Sequence, residues 1–238
     1  MLILALFTVF ESFLFPPTIF DENRFNPATL YEKDFEVTIS TEVKFGLSDL
    51  RAHTIYSHIN SYRLSATSFG NDLYRENVVH LGFGFPIIEK LAVGLSVAML
   101  NYWIRDTENH FGYSLKIGSV FHSTPVKASA WINNINVPKF SEVDYLPPNY
   151  SLRINYAALR NLSFHFALRG IETKLPFFNF GLFYSPYRII KIGIGVNTDP
   201  TLLEYGLETY VGEFILNYSG SSHQKLGLSH SLSLGFHL

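Results

Sequence analysis

From about Phe35 onward, apolar and polar residues alternate through most of the chain, which is the period of strands and not of helices. The first such run sets Phe35, Val37, Ile39, Val43 and Phe45 on one parity against Glu36, Thr38, Ser40, Glu42 and Lys44 on the other. Later runs repeat the device: Leu91, Val93, Leu95, Val97 and Met99 share a face, as do Leu162, Phe164, Phe166 and Leu168, and Ile190, Ile192, Ile194 and Val196. The chain closes on "LGLSHSLSLGFHL", where Leu226, Leu228, Leu232, Leu234, Phe236 and Leu238 alternate with Ser, Gly and His. Followed throughout, the pattern predicts about fourteen strands, over residues 34–46, 49–58, 61–69, 75–87, 91–104, 111–122, 126–137, 149–159, 162–171, 175–185, 188–197, 202–211, 213–219 and 225–238. Boundaries read this way carry an error of about two to four residues, so twelve is the alternative count.

Most of these strands approach the roughly 9–11 residues of a tilted membrane-spanning strand and exceed the five or six common in soluble sheets. Connections after even-numbered strands are short ("HINS", "PIIEK", "STPV", "RN", "SPYR", "VGE"), whereas those after odd-numbered strands are mostly longer and more polar. That asymmetry is the arrangement of outer-membrane barrels, with short periplasmic turns. In lipid every backbone polar group needs an internal partner, so strands can span only as a closed barrel. The fold expected is therefore all-β: a closed antiparallel transmembrane β-barrel over 34–238, its first and last strands paired and both termini periplasmic. The competing fold, a soluble β-sandwich, would have to hide many long apolar faces.

Composition sharpens this choice. Only 16% of residues are charged, against about 25% in soluble domains, and 16% are Phe, Trp or Tyr. Aromatics near strand ends, namely Tyr102, Trp103, Phe111, Tyr113, Phe140, Tyr145, Tyr150, Tyr184, Tyr187 and Tyr218, suit two interfacial girdles. A net charge of −2 without Lys/Arg clusters argues against nucleic acid as a partner. The chain has no cysteine, which removes disulfides, thiolate metal sites and cysteine nucleophiles. Residues 1–33 read as a separate segment. Its first ten residues are either the core of a secretory signal peptide or a structured N-terminus, and the remainder is a short periplasmic or plug segment. Glu11 and Pro16-Pro17 interrupt its apolar run well short of the ~20 residues of a spanning helix.

No catalytic signature emerges. Gly193 and Gly195 lie within a strand, without the helix a phosphate loop needs. None of the nine histidines is followed by Ser two residues on, and none sits in a His-Glu-x-x-His frame. Asp106 and His110 share one loop, which is poor ground for a barrel protease; His110 and His223 are expected in solvent. Neither enzymatic activity nor a cofactor or metal is expected. The inward parity carries a mixed-sign set: Glu36, Glu42, Lys44, Arg63, His80, Lys116, Lys127, Arg153, His165, Arg169, Lys191, Glu204 and Glu208. These either pair with one another and fill the interior or line a conduit. Leu232, Leu234, Phe236 and Leu238 resemble the C-terminal signal read by the barrel assembly machinery, although Leu, not Phe or Trp, ends the chain.

Two segments carry a family resemblance. "FNPATL" holds Asn26, Pro27 and Ala28 just before the first strand; "NYSGSSHQKLGLSHSLSLGF" holds Tyr218, His223, Leu226, Gly227, Ser229 and His230. Together they resemble the FadL-like outer-membrane proteins, including the PorV/PorQ branch associated with type IX secretion. The resemblance implies a fourteen-stranded barrel in the outer membrane of a Gram-negative-type bacterium. It implies either a conduit for small hydrophobic molecules or a non-transporting barrel that anchors surface or secretion-system proteins. Membrane lipid is a partner under both readings. The large N-terminal hatch of the fatty-acid transporters has no room in so short a leader.

Overall fold

The computed structural model describes residues 25–31, 34–106, 109–140, 144–172 and 174–238. The signal-peptide reading falls on residues outside these. Fourteen antiparallel strands, each paired with its sequence neighbours, close into a barrel: β1 Asp34–Val43, β2 Arg51–Asn60, β3 Tyr62–Gly70, β4 Tyr74–Ile88, β5 Leu91–Ile104, β6 His110–Ser123, β7 Val126–Asn133, β8 Asn149–Leu159, β9 Leu162–Ile171, β10 Phe177–Tyr187, β11 Ile190–Thr198, β12 Thr201–Val211, β13 Phe214–His223 and β14 Gly227–His237. Closure runs through β1 and β14, with Val37 opposite Phe236, Ile39 opposite Leu234 and Thr41 opposite Leu232. The backbones of Phe35 and Leu238 exchange two further hydrogen bonds, of 3.4 and 3.0 Å. The last strand therefore leaves no edge unpaired.

Alternation becomes inside and outside. Ile39 is 62% exposed and its neighbour Thr38 3%; Leu232 and Leu234 stand on the outer wall while Ser233 is buried. A soluble sandwich would bury the apolar parity. Here that parity is the outer surface and the buried parity is polar, which is the transmembrane barrel arrangement.

Three boundaries differ from the expectation by more than two residues, each for a local reason. β1 stops at Val43, not at residue 46, because Phe45 (φ 55°) and Gly46 (φ 68°) turn left-handed, and the Phe45 amide donates to Ser229 Oγ at 3.1 Å. β7 stops at Asn133, not at 137. Asn134 has φ 56°; its side chain accepts from Ser114 Oγ at 2.7 Å and donates to Pro147 O at 3.1 Å, steering the chain inward. β13 runs on to His223, because Ser219, Ser221 and His223 keep pairing with Gly206, Glu204 and Leu202. The loop asymmetry holds: connections after even-numbered strands have one or two residues, whereas those after odd-numbered strands have two to fifteen, the longest being 134–148 between β7 and β8 and the shortest 199–200.

Candidate functional site

Inside the barrel, toward the short-turn end, a brief stretch of chain lies against the wall. Residues Pro27–Tyr31 form a single 3-10 turn packed on β4, β5 and β6. The wall admits it because the inward positions there are glycine. A Cβ on Gly94 would fall 2.3 Å from the Pro27 carbonyl carbon, one on Gly84 2.7 Å from Pro27 O, and one on Gly118 2.0 Å from Asn26 Oδ1. Glycine in a strand marks close backbone approach, and three adjacent strands present it to the same segment.

Asn26 anchors the turn. Its Nδ2 donates to the carbonyls of Ser119 (3.0 Å) and Ala130 (3.3 Å), and its Oδ1 accepts from the Ala28 amide (2.9 Å). The last of these is the local Asx bond that Asn favours in turns. Pro27 has no N–H to satisfy, and Ala28 and Leu30 are fully buried. Burying Leu30 alone is worth roughly 1.5–3 kcal/mol. Two cations complete the seat. Lys116 Nζ donates to Phe25 O at 3.3 Å and sits 3.7 Å from the Phe25 ring centroid, and Arg63 Nη2 donates to Asn26 O at 3.5 Å. The Phe25 ring leans on Trp131, centroids 5.2 Å apart.

The opposite mouth is occupied by the β7–β8 connection. Leu146 enters an apolar cluster with Val78, Ala98, Leu100 and Tyr102, against which Tyr74 and Phe140 pack. Gly112 again makes the room: a Cβ there would meet Phe140 Cε1 at 2.7 Å. Tyr102 stacks on His110 (4.6 Å) and donates its hydroxyl to Asp144 Oδ2 at 2.9 Å. Tyr102 and Phe140 are thus mouth residues, not girdle residues. Tyr102 shares the inward parity of Ala98 and Leu100, and Phe140 rides a loop that folds into the mouth. His110 also leaves the solvent expected for it. His223 does so in part, since its Nδ1 accepts from the Lys225 and Leu226 amides at 3.1 Å and fixes the β13–β14 turn.

The wall from β8 to β14 is polar. Arg153 Nε donates to His165 Nδ1 at 3.0 Å and approaches Asn155 Oδ1 at 3.4 Å. Asn179 Nδ2 donates to Glu204 Oε1 at 3.3 Å. Lys191 pairs with Glu208 at 3.5 Å and lies over the Phe183 ring at 4.8 Å, while Tyr210 donates to the same carboxylate. Asn149, Ser151, Asn197 and Asn217 keep buried polar atoms with no hydrogen-bond partner among the described residues. Such atoms call for water or another polar partner, so this side of the lumen suits polar contents.

The strand register puts all the mixed-sign candidates on the inward parity, except that Lys44 follows β1 in the 3-10 turn Lys44–Gly46, its Nζ 5.7 Å from the Phe69 ring centroid. It gathers some and disperses others. Arg63 and Lys116 meet on the internal segment, Arg153 with His165, and Lys191 with Glu208. Glu36 accepts from Thr38 Oγ1 at 2.8 Å, Glu42 lies opposite Ser231, His80 opposite Ser65 and Ala98, Lys127 opposite His122 and Asn155, and Arg169 opposite Ser151. Among the described residues no three His, Asp or Glu side chains could hold a metal ion together. The segment-seating glycines and the Phe140–Leu146 mouth were not singled out from sequence; the one available signal was glycine recurring on the inward parity of β4, β5 and β6.

Of the family-motif residues, Asn26, Pro27 and Ala28 lie in the lumen, and Leu226, Gly227 and Ser229 surround the β13–β14 turn. Tyr218 and His230 meet on the outer wall, hydroxyl to Nδ1 at 2.7 Å. His230 therefore has a protein partner on the outer wall. Replacing it with Leu removes one exposed hydrogen bond, and urea unfolding in micelles is expected to show a loss of about 1 kcal/mol. A loss several times larger would mean that the pair braces the barrel seam.

No protein-family model matches the chain, and no curated protein matches it in sequence. Solved structures match in fold. The CymD monoaromatic hydrocarbon channel superposes with a TM-score of 0.59 over 91% of each chain at 11% identity. The Ralstonia pickettii toluene transporter TbuX gives 0.57 over 89% of this chain and 91% of its own at 10% identity. An Acinetobacter baumannii outer membrane protein gives 0.56 over 87% and 99% at 10% identity.

Proposed function

We propose that the protein is a conduit of the outer membrane of a Gram-negative-type bacterium and that its cargo is small and hydrophobic. The observation that carries this reading is the mouth. Where a water-filled porin would present an open polar entrance, Phe140 and Leu146 of the β7–β8 connection fill the mouth and pack on Tyr74, Val78, Leu100 and Tyr102. An apolar solute that displaces these side chains would find apolar partners in their place before it meets the seated turn below, and the charged positions of the lumen carry both signs, as no strongly ion-selective pore would need. The structurally similar CymD and TbuX, a monoaromatic hydrocarbon channel and a toluene transporter, agree with such a cargo. The FadL-like resemblance of Asn26, Pro27 and Ala28 supports the same reading, while the PorV/PorQ and type IX secretion alternative gains no support from these likenesses. Fold likeness by itself does not establish function, so the test is direct. Cells producing the protein should accumulate a monoaromatic hydrocarbon faster than cells lacking it, and Phe140→Asp, which puts a carboxylate into the apolar mouth, should remove most of the difference. Equal accumulation with and without the protein would overturn the reading.

A further inference from the structure

On the outer wall of β1–β5 one row of positions is polar on every strand. Thr41, His53, Ser68, Asn77 and Asn101 are successive cross-strand neighbours, all on the outward parity and all two or three residues from the long-connection end of their strands. They bond to one another: Thr41 Oγ1 to His53 Nδ1 at 3.1 Å and Asn77 Nδ2 to Asn101 Oδ1 at 3.1 Å. On β3 this leaves only Tyr62, Leu64 and Ala66 as the outward apolar run, whereas β5 has Leu91 to Met99.

Beneath the polar row lies a depression of about 390 Å³ whose apolar floor is Ile39, Ile55, Ala66 and Val79 and whose rim is His53, Ser68 and Asn77. The ladders β2–β3 and β3–β4 run through it in unbroken register, so it is a groove in the wall and not an opening. A second depression of similar size, on β8–β12, is lined almost wholly by outward Phe, Ile, Leu and Val and is ordinary lipid-facing surface.

Above the polar row stand two exposed arginines, Arg51 at the start of β2 and Arg75 near the start of β4, the latter 3.5 Å from Asp72. Between them is Gly70, directly opposite Arg75. A Cβ at Gly70 would lie 2.1 Å from the Tyr74 carbonyl oxygen, so no side chain separates the guanidiniums, which are two strand spacings, roughly 10 Å, apart at their bases. Guanidinium pairs of this kind suit phosphate.

We propose that this notch docks a phosphorylated lipid of the outer leaflet, with an acyl chain in the groove and a phosphate between Arg51 and Arg75. Charge complementarity and an apolar floor one polar row below the cations select that occupant over a protein partner. The inference rests on the outer-membrane reading, and lipid A is the probe. Native mass spectrometry of the purified full chain should show lipid A retained by the wild type, and about tenfold less of it on the Arg51→Gln/Arg75→Gln double variant, the loss of charge-assisted contacts to one phosphate. Lipid A stripped of its phosphates should bind the wild type no better than intact lipid A binds the variant, a comparison that needs no mutant to fold. Equal retention by both proteins, or equal retention of the stripped lipid, overturns the proposal. A protein recovered outside the outer membrane would instead sink the reading beneath it.

Discussion

Gly94→Leu should unseat the internal segment without opening the barrel. At position 94 even a Cβ would overlap the Pro27 carbonyl carbon at 2.3 Å and the Ala28 amide nitrogen at 2.4 Å. These are backbone atoms of a turn held by Asn26, so neither a rotamer change nor a small slide relieves the contact. Overpacking of this order costs about 1–3 kcal/mol and sometimes more, which moves a docked-to-undocked equilibrium by roughly tenfold to a hundredfold. The strand itself loses nothing, because leucine suits the pleat better than glycine. Since the chain has no cysteine, a single Thr29→Cys reports the outcome through its rate of thiol labelling. That rate should rise at least about tenfold with Gly94→Leu, together with the passage of small solutes through reconstituted barrels. Asn26→Ala should act in the same direction and to a similar extent, through the loss of its side-chain bonds to Ser119, Ala130 and Ala28 at about 1 kcal/mol each. Unchanged labelling in both variants would mean that the turn does not depend on this wall.

The contrast between wall and interior explains what could be read from the sequence. Strands were legible because hydrocarbon imposes one rule on each outward position: Leu95, Val97 and Met99 on β5 or Ile192, Ile194 and Val196 on β11 have no alternative but to be apolar. Where the chain leaves that constraint, the period continues past the strand. Phe45 and Val137 keep the apolar parity after Phe45 has turned left-handed and Asn134 has turned inward, which is why two strands were read too long. The lumen obeys no such rule. Gly94 and Gly118 look in sequence like Gly193 and Gly195, and only the register of three strands shows that the first two face Asn26 and Pro27. Asn26 itself bonds to carbonyls 93 and 104 residues away, a separation that no local pattern encodes. The Asn-Pro-Ala resemblance marked residues just ahead of the first strand, and only the fold shows that they pack against β4, β5 and β6.

The second large effect separates the two faces of β14. Leu232 and Leu234 lie near the middle of the strand, each 55% exposed on the outer wall, and pair with Tyr218 and Leu216 on β13. An arginine at either position must bring its charge into hydrocarbon near the bilayer midplane, at a cost of about 2–4 kcal/mol. Ser231, one residue before Leu232 and on the opposite parity, points inward and lies directly opposite Glu42. An arginine there gains a carboxylate neighbour and a lumen that hydrates it, so its cost should stay under about 1 kcal/mol. Ser233 is the harsher inward site, being 6% exposed, and arginine there must also displace its neighbours. Urea unfolding of folded barrels in lipid vesicles should therefore rank Leu232→Arg and Leu234→Arg well below Ser231→Arg in stability. If Ser231→Arg cost as much as Leu232→Arg, β14 would be dry on both faces, and the wet-lumen side of the conduit would have to be abandoned along with the parity argument that built it.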